Sequence, residues 1–141
     1  MRTVYLDNNA TTAVAPEVLE AMLPFYTEMY GNPSSMHTFG GQVTAHIDKA
    51  REKCAALIGA KRASDIVFTS GGTEGDNASI MGTLLAYPEK KHIVTSAVEH
   101  PAVRSLCQSL AKRGYEVTEV GVDEMGRLDV AELEQIGRAH V

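Results

Sequence analysis

The sequence predicts an α/β fold in which helices pack on a largely parallel sheet. After about residue 60, short apolar runs of strand length alternate with stretches whose apolar residues recur every three or four positions. Successive strands separated by a helix are usually parallel neighbours, because the helix carries the chain back to the same end of the sheet. With 141 residues, the chain is long enough for one compact domain that buries roughly 68–70% of its unfolded surface.

The first half of the chain is predicted to be mostly helical. A short opening strand is expected over residues 3–6, and a helix begins at Pro16 and is kinked at Pro24. A longer amphipathic helix follows a polar turn at residues 31–35. Gly59 is expected to end this helix in the left-handed conformation that glycine adopts without strain.

The second half is predicted to alternate between strands and helices. The expected strands cover residues 65–69, 92–95 and 115–120, and the expected helices cover residues 73–86 and 101–113. Asp129 is predicted to cap a last helix, with Glu132 completing a capping box three residues later.

Composition and charge argue against several classes of function. The net charge is −5 and the basic residues are dispersed, which disfavours nucleic-acid binding. No apolar run is long enough to cross a membrane, and the first residues do not resemble a signal peptide, so a cytoplasmic location is expected. Cys54 and Cys107 are far apart and fall on apolar helix faces, so we expect two buried thiols and no metal site.

The segment most informative about chemistry is a glycine turn at residues 69–75, TSGGTEG, where a predicted strand gives way directly to a helix. The first N–H groups of a helix are unpaired and its dipole is positive there, so Gly72 and Thr73 could bind an anion. The pattern matches neither the Walker loop nor the dinucleotide fingerprint. A tight turn capped by Thr73 is therefore an equal alternative on the pattern alone.

His100 follows the next predicted strand and precedes Pro101 at the start of a helix. Ligands of open parallel sheets bind beyond the carboxyl ends of the strands, so His100 is expected on the same edge of the sheet as the glycine turn. Taken alone, a histidine in this position is more often a helix cap or a solvated residue.

Four segments, in this order and spacing, resemble the cysteine desulfurases of the class V aminotransferase family. They are YLDNNATT at residues 5–12, GNPSSMH at 31–37, SGGTE at 70–74 and EHPAV at 99–103. Their wording is most similar to the branch that serves nitrogenase maturation (nitrogen fixation) and iron–sulfur cluster assembly. The resemblance covers about residues 3 to 135 and implies a truncated part of the large domain of a fold-type-I pyridoxal-phosphate enzyme, which is a three-layer α/β structure with a largely parallel sheet.

The resemblance also implies roles for particular residues. Gly72 and Thr73 would bind the phosphate of pyridoxal 5'-phosphate, and His100 would stack on the pyridine ring and assist proton transfer as a catalytic residue. Asn8, Asn9 and Ala10 would belong to an arm that closes over the substrate. Plain turn chemistry is the alternative for these three, since asparagines readily form Asx turns.

By family resemblance, the activity is the removal of sulfur from L-cysteine, which gives L-alanine and an enzyme persulfide that supplies an iron–sulfur scaffold protein. Relatives are homodimers. Their cofactor-binding lysine, the aspartate that faces the pyridine nitrogen and the sulfur-accepting cysteine all correspond to positions beyond residue 141. The lysines of this chain are expected to be solvated, and neither Cys54 nor Cys107 is expected to accept sulfur. The chain alone is therefore expected to be inactive.

The domain boundaries follow from this resemblance. Residues 1–15 are predicted to be the amino-terminal arm of the small domain, and residues 16–135 the first part of the cofactor-binding large domain. The last six residues, IGRAHV at 136–141, match one reading frame of a common sequencing adapter and are predicted to be a non-native addition.

Three other functions remain compatible with the sequence. The chain could be a phosphate- or nucleotide-binding module in which His100 is incidental. It could be a non-catalytic scaffold with a desulfurase-like sequence. It could also belong to a selenocysteine lyase or another carbon–sulfur lyase of the same family.

Overall fold

The computed structural model describes residues 3–138. The chain divides into two compact units, Met1–Val67 and Phe68–Val141. Each unit has its own helices and buried residues, and the glycine turn and His100 both belong to the second.

The first unit is built from helices. These are α1 (Pro16–Met22), α2 (Pro24–Thr27) and α3 (Thr38–Ile58), followed by a 3-10 turn at Ala63–Asp65. The predicted kink at Pro24 is confirmed, because Leu23 keeps right-handed helical angles (φ −51°, ψ −43°) while Pro24 starts a new helix. Proline lacks the N–H that would continue the α1 hydrogen bonds.

Both ends of α3 are set by local chemistry. His37 caps its start, because Nδ1 accepts a hydrogen bond from the Gly40 amide at 3.2 Å. Gly59 ends it with φ 69°, which confirms the predicted left-handed residue. Gly40 also permits a close approach, since a Cβ atom there would lie 2.5 Å from the carbonyl oxygen of Asn32.

The second unit follows the predicted alternation of helix and strand. Its elements are α4 (Gly72–Ala86), β1 (His92–Ser96), α5 (Pro101–Ala111), β2 (Glu116–Val120) and α6 (Val130–Arg138). The two strands pair in parallel, in register from His92 opposite Glu116 to Ser96 opposite Val120. Helix α5 connects them and packs against both α4 and β2.

The core of the second unit lies between α5 and the sheet. Cys107, Leu110 and Val120 are each only 1% exposed, and Leu84 of α4 is also buried. Helices α4 and α5 also pack against each other, and they carry the candidate site residues at their amino-terminal ends.

The capping box predicted for α6 is half wrong. Asp129 does cap the helix, with Oδ1 accepting the Glu132 amide hydrogen at 3.0 Å. The Glu132 carboxylate, however, accepts from the Gly121 amide at 3.0 Å instead of the Asp129 amide. The Asp129 amide donates to the Gly121 carbonyl at 3.0 Å, so the two expected partners bind the chain just after β2.

Two predicted strands are wrong. Residues 3–6 have no regular structure, and residues 65–69 consist of the end of the 3-10 turn and a segment that belongs to neither strand of the described sheet. A strand is defined by hydrogen bonds to a neighbouring strand, and within residues 3–138 neither segment has one. Apolar alternation predicted the extended backbone but not the partner.

No helix in the described part of the chain is long and apolar enough to cross a membrane. Helix α6 includes the first three of the six residues predicted to be a non-native addition, and residues 139–141 lie outside the described residues.

Candidate active site

The glycine turn leaves the start of α4 open. Gly71 precedes the helix with extended backbone (φ 171°, ψ 177°) and contributes no side-chain cap. The first N–H groups of any helix have no acceptor inside it. A Cβ atom added at Gly71 or Gly72 would meet nothing within 4 Å, so no neighbouring group crowds the side-chain positions of these two residues. The predicted capping of the helix by Thr73 is not observed, because Thr73 lies inside the first turn.

Glu74 occupies one side of this turn. Its Oε2 accepts hydrogen bonds from the Ser70 amide at 2.6 Å and from the Ser70 hydroxyl at 2.7 Å. These two bonds favour the ionised form and lower the pKa of the Glu74 carboxyl. The carboxylate is thus bound to Ser70, which precedes the helix, and it makes no hydrogen bond with the amides of Gly72 and Thr73.

His100 caps α5 with one ring nitrogen. Its Nδ1 accepts a hydrogen bond from the Ala102 amide at 3.1 Å, and Pro101 supplies the preorganised first helical position. An accepting Nδ1 means that the neutral ring carries its proton on Nε2. The sequence left open that His100 caps a helix, and the structure confirms this capping role. It fixes one nitrogen of an otherwise exposed ring.

The structure brings Thr73 and His100 to the same cavity. This cavity has a volume of about 550 Å³. Its lining comes from α4 and α5 and from His100, which precedes α5, and it includes Thr73, Asn77, Pro101, Ala102, Ser105 and Ser109. Thr73 and the His100 imidazole thus line one open depression, where an anion attached to a flat ring could contact both, whereas Gly72 is not among the lining residues.

Asn8, Asn9 and Ala10 lie in an exposed turn of the first unit. Main-chain bonds close this turn, since the Asp7 carbonyl accepts from the amides of Ala10 at 3.2 Å and Thr11 at 3.4 Å. Asn8, Asn9 and Ala10 are thus part of a local turn, and their suggested contact with substrate stays a prediction.

The cysteines differ in their surroundings. Cys107 is buried, and burial raises the pKa of its thiol, with further contributions from the charges of Glu119 and Glu99. The predicted burial of Cys107 is confirmed, whereas Cys54 is half-buried. Within residues 3–138, no cluster of histidine, cysteine or acidic side chains could hold a metal ion.

Sequence reasoning missed Ser70, Glu74 and Asn77. The first two form the hydrogen-bonded pair across the glycine turn, and Asn77 joins α4 to α5 through its carboxamide. A signal for the pair was present, because Ser70 and Glu74 are four residues apart on either side of the glycines. No local sequence pattern indicates the role of Asn77, because its partner Ala102 lies 25 residues away in sequence on another helix.

Comparison with known proteins assigns the family. The family model described as "Aminotransferase class-V" matches residues 4–140. This chain belongs to that family. The resemblance inferred from the four sequence segments is therefore confirmed.

Two curated relatives and one solved structure illustrate the similarity of this class-V aminotransferase chain to known proteins. "Cysteine desulfurase" of Trichormus azollae is 60% identical over 134 residues, covering 95% of this chain and 33% of the relative. "Cysteine desulfurase NifS" of Azotobacter vinelandii is 55% identical over 130 residues, covering 92% and 32%. A solved structure titled "NIFS-LIKE PROTEIN" is 41% identical with a TM-score of 0.86, covering 92% of this chain and 35% of that one.

The class-V chain therefore has part of the α/β, fold-type-I architecture of the NifS-like proteins, as predicted. It spans about a third of the length of the curated relatives that it matches. Its candidate site consists of the parts of that fold described above, namely the glycine turn and the start of α5.

Proposed function

We propose that this chain is part of a cysteine desulfurase that binds pyridoxal 5'-phosphate. In this proposal Gly72 and Thr73 bind the phosphate, and His100 stacks on the pyridine ring. The observation that carries the proposal is that Thr73 and His100 line one cavity beside the open first turn of α4. A phosphate monoester on a flat ring suits these residues, because Thr73 at the start of α4 and the flat His100 side chain line one depression, and the first N–H groups of a helix are open to an anion.

When bound, the cofactor supplies an electron sink for bond changes at the α-carbon of cysteine. The residues of this chain bind and orient it. The amides of Gly72 and Thr73 and the Thr73 hydroxyl hold the anion. Because Nδ1 of His100 is engaged by the Ala102 amide, Nε2 is the ring atom that can exchange a proton with the substrate. His100 is thus the catalytic residue of this part of the enzyme.

The remaining assignments belong to the same proposal. Asn8, Asn9 and Ala10 close over L-cysteine, and the products are L-alanine and sulfur destined for an iron–sulfur scaffold protein. The full enzyme is a homodimer in the cytoplasm and serves nitrogenase maturation or general cluster assembly. The similarity to the NifS protein of Azotobacter vinelandii supports this branch. The covalent steps depend on residues in the two thirds of the relatives' length that this chain does not span.

Cofactor binding can be tested on the 141-residue chain itself. Pyridoxal 5'-phosphate should bind, inorganic phosphate should compete, and AMP should bind no better than inorganic phosphate. The Thr73→Val variant removes one donor to a charged group, which should weaken binding about 10- to 150-fold. Thr83→Val is the matched control, because the hydrogen bond that the Thr83 hydroxyl makes within residues 3–138 stays inside α4, to the Ser79 carbonyl at 2.8 Å. Equal losses in the two variants, or a preference for AMP, would contradict the proposed site.

The activity can be tested in a chimera. Residues 1–135 replace the matching third of the Trichormus azollae cysteine desulfurase, which is 60% identical to this chain in that region. The chimera should release alanine from L-cysteine in the presence of pyridoxal 5'-phosphate. The 141-residue chain under the same conditions should release none. A chimera that folds and binds the cofactor but releases no alanine from L-cysteine would contradict the proposal.

A further inference from the structure

Asn77 joins the first turns of α4 and α5. Its Nδ2 lies 2.8 Å from the Thr73 carbonyl oxygen and 3.3 Å from the Ala102 carbonyl oxygen. Both partners are carbonyls, which only accept hydrogen bonds, so the amide nitrogen and not the amide oxygen of Asn77 must face them. The NH₂ group has two hydrogens, one for each helix. Asn77 is half-buried, so water can replace these two hydrogen bonds only partly.

Ala102 is held by side chains on both sides of its backbone. Its amide donates to Nδ1 of His100 at 3.1 Å, and its carbonyl accepts from Asn77. A continuous series of hydrogen bonds therefore runs from the Thr73 carbonyl through the Asn77 carboxamide and Ala102 to the imidazole of His100. Thr73 and His100 are the two residues that the proposed function places on the phosphate and on the ring.

We propose that Asn77 is a positioning residue, which fixes the phosphate-binding turn relative to the His100 imidazole and keeps that ring in its Nε2–H tautomer. The effect of Asn77 on cofactor binding rests on the proposed function. The hydrogen-bond series itself does not, because it exists within this chain. When Asn77 holds the first turn of α5, the Ala102 amide stays directed at Nδ1. When Asn77 is absent, that turn can open and the ring can rotate and exchange tautomers.

The experiment compares Asn77→Asp and Asn77→Ala with the wild-type chain. The Asn77→Asp variant keeps the shape of the side chain but presents oxygens to two carbonyls, and the Asn77→Ala variant removes the group. Ser79→Ala is the matched control, because in the described part of the chain the Ser79 hydroxyl bonds inside α4, to the Gly75 carbonyl at 2.8 Å. Far-UV circular dichroism checks that each variant is folded. Imidazole ¹⁵N NMR reports the His100 tautomer, and hydrogen exchange reports the protection of the Ala102 amide.

The wild type and Ser79→Ala should show the Nε2–H tautomer and a protected Ala102 amide. Both Asn77 variants should exchange the Ala102 hydrogen about 2- to 12-fold faster, the factor expected for one lost hydrogen bond, and should show a mixed tautomer. If a variant unfolds, the His100 tautomer of the wild type still tests the proposal, because an Nδ1–H ring in the wild type contradicts it. Unchanged exchange and tautomer in a folded Asn77 variant also overturn it.

A final measurement separates this inference from the proposed function. Pyridoxal 5'-phosphate affinity is measured for the same set of variants. Weaker binding in both Asn77 variants, together with the loss of protection at Ala102, supports both ideas. If the wild type fails to bind pyridoxal 5'-phosphate while the NMR and exchange results are as expected, the proposed function is wrong and the positioning role of Asn77 stands.

Discussion

Replacing His100 separates its two roles, since the same ring caps α5 and is proposed to contact the cofactor. The cap is a hydrogen bond of 3.1 Å from the Ala102 amide to Nδ1. Asparagine offers a side-chain oxygen of similar reach and is among the best N-cap residues, whereas alanine offers no acceptor. His100→Ala should therefore lower the free energy of unfolding by about 1 kcal/mol, within a range of about 0.5–2 kcal/mol, and His100→Asn should lower it little.

The assay is urea denaturation of the 141-residue chain, followed by circular dichroism. With a slope of about 1–3 kcal/mol per molar urea, the alanine variant should shift the midpoint downward by about 0.3–1 M. In the active chimera, both variants should lose alanine production, because asparagine restores the cap but not the imidazole. Equal stability of the two variants would show that the cap does not stabilise α5. Full activity in His100→Asn would show that His100 has no catalytic role.

Three further predictions concern packing, thiol reactivity and pH. Gly40→Ala should destabilise the chain by about 1–3 kcal/mol in urea titration, because its Cβ would lie 2.5 Å from the Asn32 carbonyl oxygen. Gly41→Ala is the control. A Cβ at Gly41 has nothing within 4 Å, so this variant should be neutral or stabilising. A thiol reagent at neutral pH should modify the half-buried Cys54 readily and Cys107 only after unfolding. Burial excludes the reagent from Cys107, and the raised pKa keeps the Cys107 thiol neutral. Rapid modification of two thiols per folded chain would contradict the buried environment of Cys107. In the folded chain, the pKa of the Glu74 carboxyl lies below its ordinary value of 4.5, so its bonds to Ser70 stabilise the fold above that pH and are lost as the pH falls through the lowered pKa. The difference in free energy of unfolding between wild type and Glu74→Gln, measured by urea titration, should therefore shrink over this acidic range. A constant difference would rule out the ionised contact.

Helices were predictable because their ends depend on neighbouring residues. Pro16, Gly59 and Pro101 marked ends that the structure places within a residue or two of the expected positions. The strand over residues 65–69 was predicted wrongly for the opposite reason. Its apolar residues favour extended backbone, but a strand forms only where another strand supplies hydrogen bonds, and none lies beside it within residues 3–138.

The candidate site divides in a similar way. The glycine pair, Thr73 and His100 were predicted as site residues from the sequence, because an open helix start and a histidine before proline are local patterns. The Ser70–Glu74 bonds were within reach of the same reasoning but were not predicted. The Asn77 contact with Ala102 was out of reach, because an asparagine inside a helix has many possible partners and the structure selects one on another helix.

The sequence by itself determined the family, the helix ends and the residues that could bind an anion, since each of these depends on the order of residues over a short stretch. The tertiary structure decided which strands pair, which nitrogen of His100 is engaged, and that Thr73 and His100 line one cavity. The physical reason is that hydrogen bonds and packing between distant segments depend on distances in space, and the folding of α5 between α4 and β2 sets those distances.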